Sequence, residues 1–432
     1  MHKPRRFVAA YNFLRDILGS VGYRFATMKM ITTTHELAAT CERLSQFSFV
    51  TVDTEFLRET TFWPKLCVIQ IASDEEAVIV DALAPELSLE PFFELMRNSA
   101  VVKVFHAARQ DVEIIYHLGG FVPAPIFDTQ VAAMVCGFGD SVSYDQLVNK
   151  ITGERIDKSS RFTDWSRRPL TEKQLEYALA DVTHLREVYQ YLTRELEGKQ
   201  RTHWVDGEMD TLRSEETYRS EPEKAWQRLK LRIRKPMEFA ILKELAAWRE
   251  SEAQSRDVPR SRVIKDDAIF EISIQQPTSS KALGHLRSVP RGFERSKQAD
   301  EILAAVARAH AIAKEDLPEV PKGKPMPEGS GAAVDLLKVL LKLKSEQSGV
   351  AAKLIATVDD LEKIASHEEA DVNALKGWRR ELFGEDALNL KKGRVGLAFN
   401  GRDIVVCNQG EPIERVAKQR STRAKPRKPK TV

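Results

Sequence analysis

Short apolar runs rich in valine and isoleucine alternate with longer amphipathic stretches between residues 30 and 200. Four runs have the length and β-branched content of buried strands: Phe47–Val52, Leu66–Ala72, Ala77–Val80 and Val101–Phe105. Apolar residues recur at helical spacing in four other stretches: 34–45, about 107–118, 128–136 and 172–197. Thr171 and Gln174 predict a capping box at the start of the last helix. Strands interleaved with helices predict an α/β domain with a mixed sheet.

The strand pattern disappears after about residue 224, where Phe239, Leu242, Leu245 and Trp248 recur at helical spacing. This pattern predicts a small all-helical unit that extends to about residue 313. Residues 316–331 contain four prolines and three glycines and are typical of a linker. A second helical stretch over 332–390 has a similar length and spacing, which favours a diverged copy of the first unit.

Composition and charge narrow the class of protein only in part. With 432 residues and 42% apolar content, the chain can bury more than one core. Charged residues make up 30%, yet the formal net charge is +3, so affinity for nucleic acid must come from local patches. One such patch lies in residues 413–432, which carry eight Lys and Arg and predict a disordered basic tail.

The cysteines and the lengths of the apolar runs bear on the compartment. Cys41, Cys67, Cys136 and Cys407 are far apart and form no C-x-x-C pair. This spacing argues against a disulfide framework or a structural zinc site and favours a reducing cytoplasm. No apolar run approaches the ~18–20 residues of a membrane span, so we expect no membrane partner.

Four carboxylates and one tyrosine in three segments are the candidate chemical groups: Asp53, Glu55, Asp111, Tyr177 and Asp181. Residues i and i+2 of a strand share a face, so Asp53 and Glu55 would point in the same direction. Residues i and i+4 of a helix also share a face, so Tyr177 and Asp181 would lie side by side. Acids beside apolar strands are costly to bury without a cation. Two Mg²⁺ or Mn²⁺ ions roughly 3.5–4 Å apart would supply this positive charge. Such a pair of ions is the usual catalytic centre of enzymes that cut phosphodiesters.

Each of these patterns, taken alone, has a structural interpretation. A single D-x-E pair is common, and Tyr-x-x-x-Asp is often a solvated helix face. Glu113 is a rival to Asp111, because both lie in the same predicted helix. The order and context of the segments favour the functional interpretation.

The motifs together resemble ribonuclease D, in the tyrosine-containing branch of the DEDD exonuclease superfamily. The matching stretches are Asp53–Phe56, Phe62–Leu66, Ile69–Ile71, His106–Ala108 with Asp111, and Asp164–Thr171 leading to Tyr177 and Asp181. The resemblance covers residues 30–215 and implies an exonuclease domain of ribonuclease H-like fold. It also implies that residues 1–29 are an N-terminal extension outside the working enzyme, arising from an alternative start codon.

The resemblance assigns a role to each candidate residue. It implies that Asp53, Glu55, Asp111 and Asp181 hold two divalent cations, Mg²⁺ or Mn²⁺, and that Tyr177 orients the attacking water. A phenol with a pKa of about 10 is a poor base at neutral pH, so positioning is its first role. We expect four groups to contact substrate: Phe56, Trp63, His106 and Arg168. For His106 the alternative is a cap on the following helix.

Residues 216–315 resemble the HRDC domain, a helical module of helicases and ribonuclease D-like nucleases. The resemblance rests on Ala225-Trp226, Pro236–Trp248 and Asp257–Arg260. A helical packing or dimerisation module is the alternative. Residues 332–412 are interpreted as a degenerate second HRDC-like domain, so one or two all-helical domains follow the exonuclease domain.

The leading hypothesis is a metal-dependent 3′–5′ exoribonuclease that releases 5′-nucleoside monophosphates. The resemblance implies that it trims the 3′ ends of tRNA precursors and other small structured RNAs. Two rivals stay open: a 3′–5′ DNA exonuclease of the Werner or proofreading type, and a non-catalytic RNA-binding scaffold. No G-x-x-x-x-G-K-[ST] motif occurs, so we expect no nucleoside triphosphate partner. We also expect a monomer.

Overall fold

The computed structural model describes residues 30–321 and 330–408. The predicted extension 1–29, the tail 413–432 and most of the linker 316–331 therefore lie outside the described residues. The described chain divides into two units. The first holds residues 30–133 and 142–321, and the second holds residues 134–141 and 330–408.

A six-stranded mixed sheet forms the centre of the exonuclease segment, as the sequence predicts. Its strands are β1 Met30–Ile31, β2 Phe49–Leu57, β3 Lys65–Ala72, β4 Ala77–Asp81, β5 Val102–Phe105 and β6 Ile126–Asp128. Their order across the sheet is β1-β4-β3-β2-β5-β6. The β2–β3 and β3–β4 pairs are antiparallel, and the other three pairs are parallel.

Seven helices surround this sheet: α1 Thr34–Leu44, α2 Glu90–Arg97, α3 Arg109–Gly119, α4 Thr129–Cys136, α5 Tyr144–Thr152, α6 Glu172–Gly198 and α7 Thr202–Arg213. The predicted capping box is confirmed, because the Thr171 hydroxyl accepts from the Gln174 amide and the Gln174 side chain accepts from the Thr171 amide. Helix α3 is followed by Gly120, which caps its C-terminus with a φ of +74°, a left-handed conformation that glycine adopts without steric cost.

Strand β2 extends further than the sequence predicts. The apolar run ends at Val52, but the strand continues through Leu57 because its polar half pairs with β3. Asp53 and Glu55 therefore lie within the strand, opposite Gln70 and Val68, and not at its end. The register shifts between Glu55 and Phe56. Such irregularities are common beside active sites, where they redirect side chains.

Helix α6 crosses the sheet and packs on β2, β3 and β4. Its apolar face includes Ala178, Val182 and Leu185, all of which are buried. The Thr51 hydroxyl of β2 donates to the Val182 carbonyl of α6 at 2.8 Å. This bond fixes the register of the helix on the strand, and so the relative positions of the acids that each carries.

The helical unit predicted after residue 224 is confirmed. It contains α8 Pro236–Ser255, α9 Arg260–Val263, α10 Asp266–Gln275, α11 Ser280–Gly284 and α12 Lys297–His310. Short 3₁₀ turns complete the segment: Glu215–Thr217, Pro222–Arg228, Phe293–Arg295 and Lys314–Asp316. Its core is separate from that of the sheet and is centred on α8 and α12, with Leu242, Ile272 and Ile302 fully buried.

The second unit is helical from Ser330 to Lys391, as predicted for 332–390. Its helices are α13 Ser330–Ser348, α14 Ala352–Ile355, α15 Val358–Ser366, α16 Gly377–Arg379 and α17 Glu385–Lys391, with a 3₁₀ turn at Asn373–Leu375 and a π-helical turn at Arg380–Gly384. The prediction of an all-helical unit over 332–412 is wrong at its end, where β7 Val395–Phe399 and β8 Ile404–Asn408 form a hairpin. Asn400-Gly401, a strong turn dipeptide, connects the strands.

Membrane crossing has no support in the described chain. No helix within residues 30–321 and 330–408 combines the length and the apolar character that a bilayer span requires.

Candidate active site

The structure brings three of the predicted acids together. Asp53, Glu55 and Asp181 each offer a carboxylate oxygen, and these oxygens lie within 4.8 Å of one another. Asp53 and Glu55 come from one face of β2, and Asp181 comes from α6, which packs across that strand. The Tyr144 hydroxyl donates to the Ala180 carbonyl at 3.0 Å and so ties α5 to α6 beside Asp181. The two local patterns in the sequence therefore converge at one place.

Asp111 is the buried acid of α3, and Glu113 is not its rival. Asp111 is only 7% exposed, and its Oδ1 accepts a hydrogen bond from the Thr54 hydroxyl of β2 at 2.6 Å. Glu113 accepts two hydrogen bonds from the guanidinium of Arg58, at 2.7 and 2.8 Å. Residues two apart on a helix point in nearly opposite directions. The fold therefore places Asp111 against the sheet and Glu113 away from it.

Burial raises the pKa values of all four acids, and the charges of neighbouring acids add to the shift at Asp53, Glu55 and Asp111. Burial first and the charge of Asp181 second raise the pKa of Asp53 well above its ordinary value. Burial, then the charges of Asp53 and Asp181, raise the pKa of Glu55 to about 10. Burial also raises the pKa of Asp181 to about 7. Burial and the charge of Asp53 raise the pKa of Asp111.

Among the described residues, little positive charge offsets these acids. Arg161 is the cation whose charge lowers the pKa values of Glu55 and Asp181, but it is exposed to solvent, and burial outweighs it. Clustered carboxylate oxygens with little compensating charge are the donor set that hard divalent cations prefer. The residues present therefore fit a divalent cation site.

Tyr177 shares a hydrogen bond with Asp181 through its hydroxyl. Burial, together with the charges of Asp181 and Glu55, raises the pKa of this phenol above its ordinary value. The buried indole of Trp165 packs near it, with ring centroids 6.1 Å apart. Tyr177 therefore stays protonated at neutral pH and can donate or accept a hydrogen bond but does not act as a base. Its role in positioning water stays a prediction.

Asp128 shapes the turn that precedes Asp111, although no sequence pattern selects it. Its two carboxylate oxygens accept hydrogen bonds from the amides of Ala107 at 3.0 Å, Ala108 at 2.9 Å and Gln130 at 2.8 Å. Ala107 has a φ of +60°, a left-handed conformation that is strained for a residue with a Cβ. Asp128 therefore offsets the strain of the turn from which α3 and Asp111 begin.

Replacing Asp128 with asparagine should lower both stability and turnover. One oxygen becomes a donor that faces an amide N–H, which costs about 1–3 kcal/mol, and the relaxed turn would displace Asp111. We expect kcat to fall about tenfold at a temperature where both proteins are folded. Urea unfolding and initial rates measure the two effects. Ala107→Gly in the same background should recover part of both, because glycine removes the strain. Lower stability with unchanged kcat would show that the turn does not position Asp111.

His106 is held inside the protein. Its Nδ1 lies 3.0 Å from the Thr129 hydroxyl, and its Nε2 is buried. Burial lowers its pKa, so the ring is neutral at physiological pH. The alternative role as a helix cap is not supported, because the amides of Ala107 and Ala108 before α3 donate to Asp128 and the His106 Nδ1 lies against Thr129. Contact with substrate stays a prediction.

Arg168 is saturated by protein acceptors. Its guanidinium forms a double hydrogen bond with Asp81, at 2.8 and 2.5 Å. It also donates to the carbonyls of Trp165, Arg167 and Cys67 at 2.8–2.9 Å. All five N–H donors are thereby used. This geometry favours a structural role, which holds the loop before α6 on the sheet, over the predicted substrate contact.

Phe56 and Trp63 are both half-buried. Phe56 lies near the end of β2, and Trp63 lies in the loop that connects β2 to β3. The indole of Trp63 stacks on His117, with ring centroids 4.1 Å apart and planes 9° apart. The amides of Phe62 and Trp63 donate to Asp257 Oδ1 at 3.0 and 2.9 Å. Phe56 packs against the core of the exonuclease segment. Base stacking by Trp63 and Phe56 stays a prediction.

The comparison with known families agrees with this geometry. The family model described as 3′–5′ exonuclease matches residues 28–197, and the HRDC domain model matches residues 238–306. Fold and acidic site thus define an exonuclease domain joined to an HRDC domain.

Similar proteins give the narrower assignment. Ribonuclease D from Nitrobacter hamburgensis is 57% identical over 378 residues, which are 88% of this chain and 99% of that protein. Ribonuclease D from Bartonella henselae is 50% identical over 87% of this chain and 93% of its own length. The crystal structure of Escherichia coli RNase D matches with a TM-score of 0.74 and 29% identity, over 84% of this chain and 98% of that one. The chain belongs to the ribonuclease D family and is a 3′–5′ exoribonuclease.

Proposed function

We propose that this exoribonuclease cuts RNA by a mechanism that requires two divalent cations, Mg²⁺ or Mn²⁺, and releases 5′-nucleoside monophosphates. The observation that carries the proposal is the convergence of Asp53, Glu55 and Asp181, whose oxygens lie within 4.8 Å of one another. Asp111 supports it, because it is buried and close enough for the charge of Asp53 to raise its pKa. Four acids in one buried region are costly unless cations accompany them.

Each side chain has a part in this proposal. Asp53 would contact both cations, Glu55 and Asp181 would complete one site, and Asp111 would serve the other. When bound, such cations lower the pKa of an attacking water and stabilise charge on the phosphate. Thr54 holds the Asp111 carboxylate through its hydroxyl at 2.6 Å, so this acid reaches the site in one orientation.

Tyr177 completes the chemistry by orientation. Its hydroxyl is hydrogen-bonded to Asp181 and remains protonated because the surrounding acids and burial raise its pKa. It can therefore direct a lone pair of water toward phosphorus without taking the proton itself.

The substrates are proposed to be the 3′ ends of tRNA precursors and other small structured RNAs. The Escherichia coli protein of similar structure is described as an exoribonuclease involved in structured RNA processing. We further propose a monomer that needs no nucleoside triphosphate and works in the cytoplasm. The four cysteines support a reducing compartment, because all of them are free thiols.

Labelled substrates test the reaction and its direction. With Mg²⁺ or Mn²⁺, a 3′-labelled RNA should lose its label at once as a mononucleotide, while a 5′-labelled RNA should shorten stepwise. EDTA should stop both reactions, since the acids alone cannot activate water. A matched DNA should react far more slowly. Equal rates on DNA would favour the rival DNA exonuclease, and cleavage that persists in EDTA would contradict the cation requirement.

A further inference from the structure

A cavity of about 190 Å³ lies where the exonuclease segment meets the HRDC segment, within the first unit. Arg58 and Arg109 line it from the exonuclease side, and residues 217–220, Arg228 and Arg260 line it from the other side. Pockets that enclose whole drug-sized ligands measure roughly 300–1,000 Å³. This cavity is smaller and suits one chemical group of a larger molecule.

The lining is strongly basic. Five arginines contribute to it: Arg58, Arg109, Arg219, Arg228 and Arg260. Glu113 is the only acid among the lining residues, all of which belong to the described chain. Planar guanidinium groups bind phosphate through paired N–H donors and are the preferred groups for nucleic-acid phosphates.

Four of the five arginines also hold protein carboxylates. Arg58 pairs with Glu113 at 2.7 Å, Arg228 and Arg260 pair with Glu250 at 2.7 and 2.5 Å, and Arg219 lies 3.5 Å from Glu215 and 3.9 Å from Glu221. Arg109 differs, because it is exposed and no ion pair is seen for it among the described residues. Its charge is therefore available to a ligand, and the paired arginines fix the walls around it.

The cavity lies near the acids in sequence and along the secondary structure. Arg58 follows Glu55 by three residues, which span roughly 10 Å of extended chain. Arg109 precedes Asp111 by two residues in the first turn of α3. The guanidinium of Arg260 lies 4.4 Å from the centre of the Phe62 ring, so this contact joins the two segments at the wall of the cavity. Along the chain, the cavity therefore lies within a few residues of Glu55 and Asp111, and on α3 Arg109 shares the face of Glu113.

We propose that the cavity binds a phosphodiester group of the RNA strand upstream of the 3′-terminal nucleotide, with Arg109 as its principal contact. The proposal rests on the function proposed above, since it assigns a second point of attachment for the same strand. It explains why the HRDC segment is packed beside β2 and α3: one wall of the phosphate site comes from each segment.

The test compares RNAs that can and cannot reach the cavity. KM is measured for a decaribonucleotide and for a diribonucleotide with the wild type, Arg109→Gln and Arg109→Glu. Arg194→Gln on α6 is the matched control, because Arg194 is exposed and outside the cavity. Arg109→Gln should raise KM for the decaribonucleotide about tenfold, the size of one charge-assisted contact. Arg109→Glu should raise it further, and the ratio of the KM values for long and short RNA should rise in both variants.

Salt dependence gives a second readout. Affinity for the decaribonucleotide, measured in EDTA so that the RNA stays intact, should fall less steeply with salt in Arg109→Gln. The slope of log affinity against log salt should be smaller by about 0.7, which corresponds to one phosphate contact on a single strand.

The outcomes separate this inference from the proposed function. If the wild type degrades both RNAs but Arg109→Gln behaves like Arg194→Gln in KM ratio and salt slope, the phosphate site is overturned and the reaction stands. If the wild type degrades neither RNA, the proposed function fails first. Inorganic phosphate is added as a competitor at constant ionic strength. A phosphate effect that depends on Arg109 without any change in the decaribonucleotide KM would assign the cavity to free phosphate and overturn the RNA proposal.

Discussion

Asp53→Asn is expected to abolish RNA hydrolysis while leaving the fold intact. Asp53 lies in the carboxylate cluster with Glu55 and Asp181, and its charge raises the pKa of Asp111, so we expect it to serve both proposed cations. Losing several kcal/mol of transition-state stabilisation corresponds to a drop in kcat of at least about 10³-fold. Single-turnover rates with saturating Mn²⁺ measure it. Asp206→Asn is the matched control, since Asp206 is exposed on α7.

The melting temperature of Asp53→Asn provides a second test, because we expect stability to be kept while activity is lost. Without cations, Asp53→Asn should melt at the same temperature as the wild type or higher, because one of the mutually repelling buried carboxylates is removed. Cations at a hundred times their Kd stabilise the folded wild type by about 2.7 kcal/mol. That corresponds to roughly 5–10 °C for a unit of this size. The variant should gain much less. Turnover within tenfold of wild type would contradict the assignment of Asp53.

Tyr177→Phe should slow the reaction about 10²-fold without weakening cation binding. Only the hydroxyl that orients water is lost, and misplacement of a reacting group by about 1 Å costs that much. Single-turnover rates and Mn²⁺ titrations separate the two effects. Tyr189→Phe is the matched control, because Tyr189 lies on the same helix and packs against Phe49 and Phe127. Equal rates would make Tyr177 a core residue, and lower affinity for Mn²⁺ would make it a ligand.

Local periodicity was enough to predict which neighbouring residues of the site share a face, but not how the separate segments come together. The i, i+2 and i, i+4 spacings place Asp53 with Glu55 and Tyr177 with Asp181. The choice of Asp111 over Glu113 came from the family resemblance, because the orientation of α3 on the sheet is not contained in any local pattern. Asp128 could not be selected either, because its three amide partners are arranged by the turn at Ala107.

The resemblance identified motif residues without separating their roles. Arg168 belongs to the matching Asp164–Thr171 stretch, yet its donors are used to hold protein groups. A family motif includes residues that build the site as well as those that touch substrate, and only the hydrogen-bond partners distinguish them.

Very short elements were beyond the sequence patterns. Strands β1 and β6 contain two and three residues, too few to show a period of two. The hairpin β7–β8 could have been found from Asn400-Gly401 between two short runs rich in β-branched and apolar residues, but the preceding helical stretch dominated the interpretation.

The hydrogen bonds from Phe62 and Trp63 to Asp257 have a consequence for how this protein can be divided. A fragment that ends at Arg213 would remove Asp257 and leave two backbone amides without their acceptor. It would also remove Tyr218, which is buried in the core of the exonuclease segment although it follows the predicted boundary at residue 215. The catalytic segment and the HRDC segment therefore cannot be exchanged independently of each other. A chimaera that imports an HRDC domain from another protein would need the matching loop after β2 as well.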